Sequence, residues 1–231
     1  VLEVNPRASR TVPFISKVTG VPMVKLATKI MLGISLKDQG YHGGLWNRQR
    51  LVGIKAPVFS MSKLAGVDTY LGPEMKSTGE VMGVDHTFEA ALVKALMAAG
   101  LMLQPGLPVL LSIADRDKTE AVPLATRLDA MGCPLYATEG TAAMIESVGV
   151  PVRLITKKLN EGSPNVIDVI NDGGVQGVVN TVTGGRTALK DGFHIRRAAA
   201  EKRIPCFTSI DTARAAVDVL ANSGQMYNIK P

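Results

Sequence analysis

Two side chains near the start of the chain have the chemistry and spacing of metal ligands. Glu3 and Asn5 stand two residues apart in the apolar, strand-like run VLEVN. Side chains at positions i and i+2 of a strand point to the same face, so these two would present their oxygen atoms side by side. Such ligands suit Mg²⁺, which usually also holds a substrate phosphate. Because Arg7 and Arg10 follow as donors to anions, the sequence predicts part of a metal and phosphate site here.

A second group of polar residues follows a series of short apolar runs in the other half of the chain. They are hydroxyls, an amide, a glycine and cations: Lys118, Thr138, Gly140, Thr141, Lys157, Asn180, Thr181 and Thr183. In open α/β sheets, ligands bind at the carboxyl ends of the strands, where these residues would gather. Gly140 and Thr141 are predicted to begin a helix, and a helix N-terminus holds phosphate well. Lys118 and Lys157 would add charge-assisted bonds to the same anion.

This second group therefore predicts a pocket for a phosphate-bearing small molecule that lies across the strand ends. The alternative is that the residues are only helix caps and solvated lysines, which any α/β domain contains. Other chemistries are disfavoured. The three histidines have no zinc-ligand spacing, no GxSxG motif is present, and GVVNTVTGGRT resembles a P-loop only loosely because Arg186 replaces its lysine.

The elements that must position these residues can be read from the hydrophobic pattern. After LQPGLP (103–108), five short β-type runs alternate with helical segments: PVLLSI, PLYAT, VRLIT, GVVNTV and PCFTSI. This alternation predicts an α/β fold with a parallel sheet covered on both faces. Before the break, the pattern predicts a helix over 22–32 and a strand in RLVGIKAPVF (50–59) that ends near Pro57. It also predicts a helix with N-cap Thr87, stop Gly100 and an apolar stripe that includes Phe88.

Composition limits the class of protein. The chain has 231 residues, of which 46% are hydrophobic and 20% charged, and its formal net charge is +6. A mild positive excess favours small anionic ligands and does not require nucleic acid. The basic stretch HIRRAAAEKR (194–203) is interpreted as a solvated helix face. Cys133 and Cys206 are expected to be free thiols of a reducing cytosol. No apolar run suits a membrane span and no signal-peptide pattern is present, so we expect a cytoplasmic protein without membrane contact.

Several of these stretches resemble one enzyme family over the whole length of the chain. EVNPRASRTVPFISKVTGVP and LGPEMKSTGEVMG (71–83) resemble the second ATP-grasp unit of the carbamoyl phosphate synthetase large chain. Residues from about 104 onward resemble the regulatory, methylglyoxal-synthase-like domain of that family. The resemblance implies an ATP-grasp remnant of α+β type over 1–103 and a doubly wound, Rossmann-type parallel-sheet domain over 104–231. The chain would then be the C-terminal end of an ATP-dependent carbon–nitrogen ligase of pyrimidine and arginine biosynthesis.

For the first half, the resemblance implies roles in the second ATP site. Glu3 and Asn5 fall on metal ligands of that site, and Arg7 falls on an arginine of the same site. The intact enzyme would use Mg²⁺ or Mn²⁺ with ATP, whereas this fragment alone would need no cofactor and be inactive. The expected protein partners are the rest of the large chain and the glutaminase small subunit.

For the second half, the resemblance implies an allosteric nucleotide site. UMP is the expected effector, and IMP and phosphoribosyl diphosphate are further candidates. The family's effector-binding positions match Lys118, Thr138, Thr141, Lys157, Asn180 and Thr181. One further position falls on Val182 or Thr183, and we favour Thr183 because its hydroxyl suits a phosphate or ribose. An ornithine site is disfavoured, since Ala56 and Cys206 replace the family's Glu and Tyr while Thr208 retains its Thr.

Two alternatives belong to other classes of function. The shared fold would allow a lyase like methylglyoxal synthase, which needs aspartates at the strand ends. The stretch NTVTGGR has no acid, however, and Asp117, beside Asp115, could simply cap the following helix. Alternatively, residues 1–103 could be a docking module that exposes apolar surface and self-associates in isolation.

Overall fold

The computed structural model describes residues 4, 6–60, 75–156, 164–182 and 186–221, with backbone only for 186–191. None of the helices within these ranges is long and apolar enough to cross a bilayer.

Two helices and a small antiparallel sheet make up the first half of the described chain. The helices are α1 (Thr11–Thr19) and α2 (Met23–Met31), and the strands are β1 (Val52–Val58) and β2 (Gly79–Asp85). Helix α3 (Phe88–Ala99) packs on this sheet so closely that a Cβ at Gly83 would collide with the α3 backbone at Ala91 and Ala95. The predicted helix over 22–32 and the predicted strand that ends near Pro57 are confirmed, whereas α1 and β2 were not predicted.

The caps of α3 follow the prediction, but one end of its apolar stripe does not. The Thr87 hydroxyl accepts a hydrogen bond from the Ala90 N–H, and Gly100 closes the helix with a left-handed φ of 71°. Ala91 and Ala95 are buried as expected, while Phe88 is 54% exposed. Phe88 is the first residue of the helix, and the predicted apolar stripe is wrong at this position.

The predicted parallel sheet forms the centre of the second half. Its strands are β3 (Val109–Ser112), β4 (Leu135–Ala137), β5 (Arg153–Leu154), β6 (Gly177–Asn180) and β7 (Cys206–Phe207). Its helices are α4 (Lys118–Ala130), α5 (Glu139–Glu146), α6 (Val166–Asn171), α7 (Arg186–Glu201) and α8 (Ile210–Ala221). All neighbouring strands are parallel, in the order β5-β4-β3-β6-β7. This arrangement confirms the predicted α/β class.

Two apolar clusters cover the two faces of the parallel sheet. Successive side chains of a strand point to opposite faces, so Leu111 joins the cluster with α4, α5 and α8, while Leu110 joins the cluster with α6 and α7. Burial on both faces explains why each strand is a nearly continuous apolar run. Leu96 and Leu103 pack in the first of these clusters, beside the strands. The boundary that we place between residues 103 and 104 stays a prediction.

The strand order determines where a ligand can bind. From β3 the chain moves outward through β4 to β5, and it then returns to the other side of β3 to form β6 and β7. The direction of winding therefore reverses between β3 and β6. In open α/β sheets this reversal opens a crevice at the carboxyl ends of the two strands. The residues that follow Ser112 and Asn180 lie at its edge.

Candidate functional site

Two threonine hydroxyls hold the chain where it leaves β3. The Ile113 N–H donates to Thr141 Oγ1 at 2.9 Å, and the Ala114 N–H donates to Thr181 Oγ1 at 2.9 Å. Both threonines are almost completely buried. Residues that are far apart in sequence thus meet at one edge of the sheet, as predicted. Both hydroxyl oxygens accept backbone hydrogen bonds here, and the Thr141 O–H group points to the Ile113 carbonyl at 3.4 Å.

Lys118 lies over the first turn of α5. This helix begins at Glu139, one residue earlier than predicted, and Thr138 occupies its N-cap position. A Cβ built on Gly140 would be 2.9 Å from Lys118 Nζ, so the ammonium group reaches the helix because this residue has no side chain. The Thr138 hydroxyl points to Thr141 Oγ1 at 3.4 Å and does not cap the backbone. A cation therefore stands at the positive end of a helix.

The nearest carboxylate to this ammonium group comes from the preceding turn. Asp115 Oδ1 lies 2.7 Å from Lys118 Nζ, although the Asp115 side chain is 92% exposed. An exposed ion pair of this kind contributes little to stability. Asp117 occupies the N-cap position of α4, but its carboxylate pairs with Arg116 and makes no capping bond. The suggestion that Asp117 caps the helix is therefore wrong.

Asn180 ends β6 and is held by two partners inside the fold. Its Nδ2 donates to the Ser112 carbonyl at 3.3 Å, and its Oδ1 accepts from Arg196 Nη1 at 3.1 Å. Arg196 is only 1% exposed. The interpretation of residues 194–203 as a solvated face is therefore wrong for this arginine. Helical spacing places it on the same face as Ile195 and Ala199, which pack against the sheet.

The described structure brings together six of the predicted effector residues at one edge of the sheet: Lys118, Thr138, Gly140, Thr141, Asn180 and Thr181. Lys157 and Thr183 lie outside the described residues. Glu3 and Asn5 also lie outside them, so the metal site stays a prediction. Arg7 is described and exposed, ahead of α1. Within the described ranges, no group of three or more His, Cys, Asp or Glu side chains could hold a metal ion.

The two positions at which the family's ornithine-binding Glu and Tyr are replaced lie on different sheets. Ala56 belongs to β1, whereas Cys206 begins β7. Burial raises the pKa of the Cys206 thiol to about 12, and the nearby Arg196 guanidinium opposes this effect only in part. The thiol is therefore neutral at physiological pH. It offers no negative charge to an amino group, and Ala56, at the family's Glu position, offers none either.

Sequence reasoning missed three residues that shape the site. Ser112 shapes the site through its backbone carbonyl, which accepts from Asn180 Nδ2. A backbone contact of this kind cannot be predicted from the type of side chain. Gly192 and Arg196 are one helical turn apart on α7, and both are buried. The signal that could have found them is periodicity, because positions i, i+3, i+4 and i+7 from Gly192 share one face of the helix.

Comparison with known families matches two separate parts of the chain. Residues 120–208 match the MGS-like domain, which covers most of the parallel sheet and the candidate site. Residues 1–39 match the "Carbamoyl-phosphate synthase L chain, ATP binding domain". The first match supports the Rossmann-type parallel-sheet fold, and the second fits an ATP-grasp remnant at the start of the chain.

A relative and a solved structure add to these matches. The chain is 61% identical, over all of its 231 residues, to the "Carbamoyl phosphate synthase large chain" of Thermomicrobium roseum, and it spans 21% of that protein's length. It is also similar to the crystal structure of ForH, with a TM-score of 0.40 and 16% identity over 51% of this chain and 80% of that chain. The similarity to ForH is too low to support any conclusion. The relative and the two family matches together show that the chain is similar, over its whole length, to part of a carbamoyl phosphate synthase large chain.

Proposed function

We propose that this chain is the regulatory end of a carbamoyl phosphate synthase large chain and binds a nucleotide effector at the carboxyl ends of β3, β4 and β6. The effector would be of the UMP type, with IMP and phosphoribosyl diphosphate as further candidates. Its phosphate would lie between Lys118 and the first turn of α5. Thr138, Thr141, Asn180 and Thr181 would surround it, together with Lys157 and Thr183.

One observation carries this proposal, namely the position of the Lys118 ammonium group over Gly140. A cation is unfavourable beside the positive end of a helix, whereas an anion there is stabilised. A bound phosphate would interact favourably with both the ammonium group and the backbone N–H groups of α5. Asp115 would give up its exposed ion pair with Lys118 at little cost.

The whole protein's activity also belongs to this proposal. We infer that the intact enzyme makes carbamoyl phosphate from ATP, bicarbonate and glutamine, with the glutaminase small subunit as its partner and Mg²⁺ or Mn²⁺ at its ATP sites. Glu3, Asn5 and Arg7 would belong to the second of those sites. The 231-residue chain would carry only part of that site, so it would bind the effector without catalysing the reaction.

The lyase alternative has no comparable support. Asn180 and Thr181 stand at the end of β6, where that chemistry would need an acid. Asp115 and Asp117 pair with Lys118 and Arg116. We therefore expect no elimination of phosphate from dihydroxyacetone phosphate by this chain.

Thermal unfolding with added ligands tests the proposal. UMP, IMP, phosphoribosyl diphosphate, inorganic phosphate and ornithine would each be added separately to the chain. A ligand at a hundred times its dissociation constant stabilises the folded state by about 2.7 kcal/mol. For a chain of this length, that corresponds to a rise in Tm of roughly 5–10 °C. We expect this rise with UMP and none with ornithine.

A matched pair of lysine variants locates the site. Lys118→Met should abolish the rise with UMP, whereas Lys202→Met should retain it, because Lys202 is an exposed residue after α7. Both variants lose one positive charge, so their comparison separates the local contact from the net charge. The proposal would be wrong if no phosphate-bearing ligand raised the Tm, or if Lys118→Met responded as fully as the unsubstituted chain.

A further inference from the structure

Arg196 is a charged side chain buried directly behind the candidate site. It is 1% exposed, and its Nη1 donates to Asn180 Oδ1 at 3.1 Å. Burying a charged group is costly unless it is hydrogen-bonded. A hydrogen bond between a charged donor and a buried amide is also stronger than one between neutral groups. The contact is therefore a strong constraint on the orientation of Asn180.

The two partners of Asn180 allow only one orientation of its amide. The amide oxygen and nitrogen are similar in size, and the hydrogen-bond network decides which is which. The Arg196 guanidinium can only donate, so it must face Oδ1. The Ser112 carbonyl can only accept, so it must face Nδ2, which lies 3.3 Å away. A flipped amide would place donor against donor and acceptor against acceptor.

From this geometry, and resting on the proposed nucleotide site, we propose that Arg196 is a positioning residue for the effector. It holds Asn180 so that the amide nitrogen lies toward the end of β3, beside the crevice. An amide nitrogen carries two hydrogens, and Ser112 takes one. The second is the donor that Asn180 offers to a ligand. The group that it meets on the nucleotide is therefore a hydrogen-bond acceptor.

Gly192 provides the space in which this contact forms. A Cβ at this position would be 2.6 Å from Arg196 Nη1, 2.9 Å from Val182 Cγ2 and 3.2 Å from Asn180 Oδ1. The glycine lies one turn before Arg196 on α7, facing the same side. Gly192→Ala would therefore separate the guanidinium from the amide while leaving both of them in the chain.

Calorimetric titration of the chain with UMP tests the positioning role. Arg196→Met should weaken UMP binding at least about tenfold, which corresponds to ~1.4 kcal/mol. Arg197→Met is the matched control, because it removes the same charge from the next residue of α7, where Arg197 pairs with Glu201 at 2.7 Å. The control should bind UMP with an affinity within about twofold of that of the unsubstituted chain, which is clearly smaller than the tenfold loss expected for Arg196→Met.

A double-substitution cycle separates positioning from a general loss of structure. If Arg196 acts through Asn180, Arg196→Met should have little further effect on UMP binding in a chain that already carries Asn180→Ala. Should Arg196→Met not fold, Gly192→Ala completes the same cycle with Asn180→Ala. In NMR spectra, the two Asn180 side-chain NH₂ signals should be sharp and distinct in the unsubstituted chain. They should be averaged in Arg196→Met and in Gly192→Ala, where the amide is no longer held.

The outcomes separate this inference from the proposed function. If the unsubstituted chain bound no UMP, the proposed function would be overturned. The positioning role of Arg196 would then be overturned as well. If the unsubstituted chain bound UMP and Arg196→Met bound it equally well, only the positioning role would be overturned. The same conclusion would follow if the effects of Arg196→Met and Asn180→Ala were simply additive.

Discussion

A substitution at Gly140 should affect the stability of the fold and the affinity for the proposed ligand differently. A methyl group there would press on Lys118 Nζ, which is the flexible end of a side chain. We therefore expect Gly140→Ala to leave the free energy of unfolding unchanged or to raise it by up to about 1 kcal/mol, because alanine reduces the freedom of the unfolded chain. Affinity for UMP should fall at least about tenfold, or ~1.4 kcal/mol. Chemical denaturation and calorimetry measure the two effects, and unchanged affinity would contradict the proposed phosphate position.

Cys206 provides a prediction about alkaline pH. Its folded-state pKa is raised to about 12 by burial, whereas the pKa of an unfolded thiol is ~8.5. The stability that this difference represents is complete below about pH 8.5 and is lost as the pH rises from there toward 12, because only the unfolded thiol releases its proton. The loss is at most ~1.4 kcal/mol per pH unit for one thiol.

Cys206→Ala should therefore flatten the decline in stability between about pH 9 and 11, the window in which only the unfolded thiol ionises. Guanidinium denaturation at several pH values measures the slope, so any overall change in stability caused by the substitution does not affect the comparison. Burial also raises the pKa of Cys133, so part of the slope should remain. An identical slope in the variant would contradict the role assigned to Cys206.

At the scale of elements, the contact between β2 and α3 depends on one glycine. A Cβ at Gly83 would lie 2.6 Å from the backbone nitrogen of Ala95 and would also collide with the Ala91 carbonyl. Neither atom can move without moving the helix. Gly83→Ala should therefore destabilise the chain by at least about 1–3 kcal/mol, the usual cost of overpacking.

Gly79→Ala, on the same strand, is the matched control for this prediction. Its Cβ would lie 3.7 Å from Val58 Cβ, an ordinary van der Waals contact. We expect a change within about 0.5 kcal/mol, as for most substitutions away from special features. Urea denaturation of both variants measures the difference. Equal effects would mean that α3 does not depend on close contact at Gly83.

At the scale of the whole molecule, the apolar residues of the two halves have different surroundings. The parallel sheet buries its apolar residues on both faces. By contrast, α2 and the segment after it expose several large ones: Val24, Ile30, Met31, Leu32, Ile34, Leu36, Leu45 and Trp46. Exposed apolar surface of this extent is typical of regions that contact other protein.

We therefore expect the 231-residue chain to self-associate as its concentration increases, which sedimentation velocity would detect. Replacing Met31 and Leu32 together by lysine should increase the monomer fraction. Val148→Lys is the control, because this residue is an exposed apolar residue outside that segment. A chain that stayed monomeric throughout would show that the exposed residues do not promote association.

The class of the second half could be predicted from sequence because its signal is local and repeated. Each short apolar run must be buried, and regular alternation with helices leaves a parallel sheet as the simple way to bury all of them. The same topology gathers the residues after the strands at one edge. For this reason Lys118, Thr141, Asn180 and Thr181 could be grouped before their contacts were known.

Strand β2 and the burial of Arg196 depended on tertiary structure. GEVMGVD has two glycines and few apolar residues, so only its pairing with β1 and the close approach of α3 make it a strand. Arginine is usually exposed, so residue type does not reveal the burial of Arg196, and only its helical spacing from Ile195 and Ala199 distinguishes it from Arg197. The sequence by itself determined that the apolar runs of the parallel strands must be buried and which strand ends meet. Only the tertiary structure decided which polar atoms face one another, because hydrogen bonds depend on positions that distant segments set together.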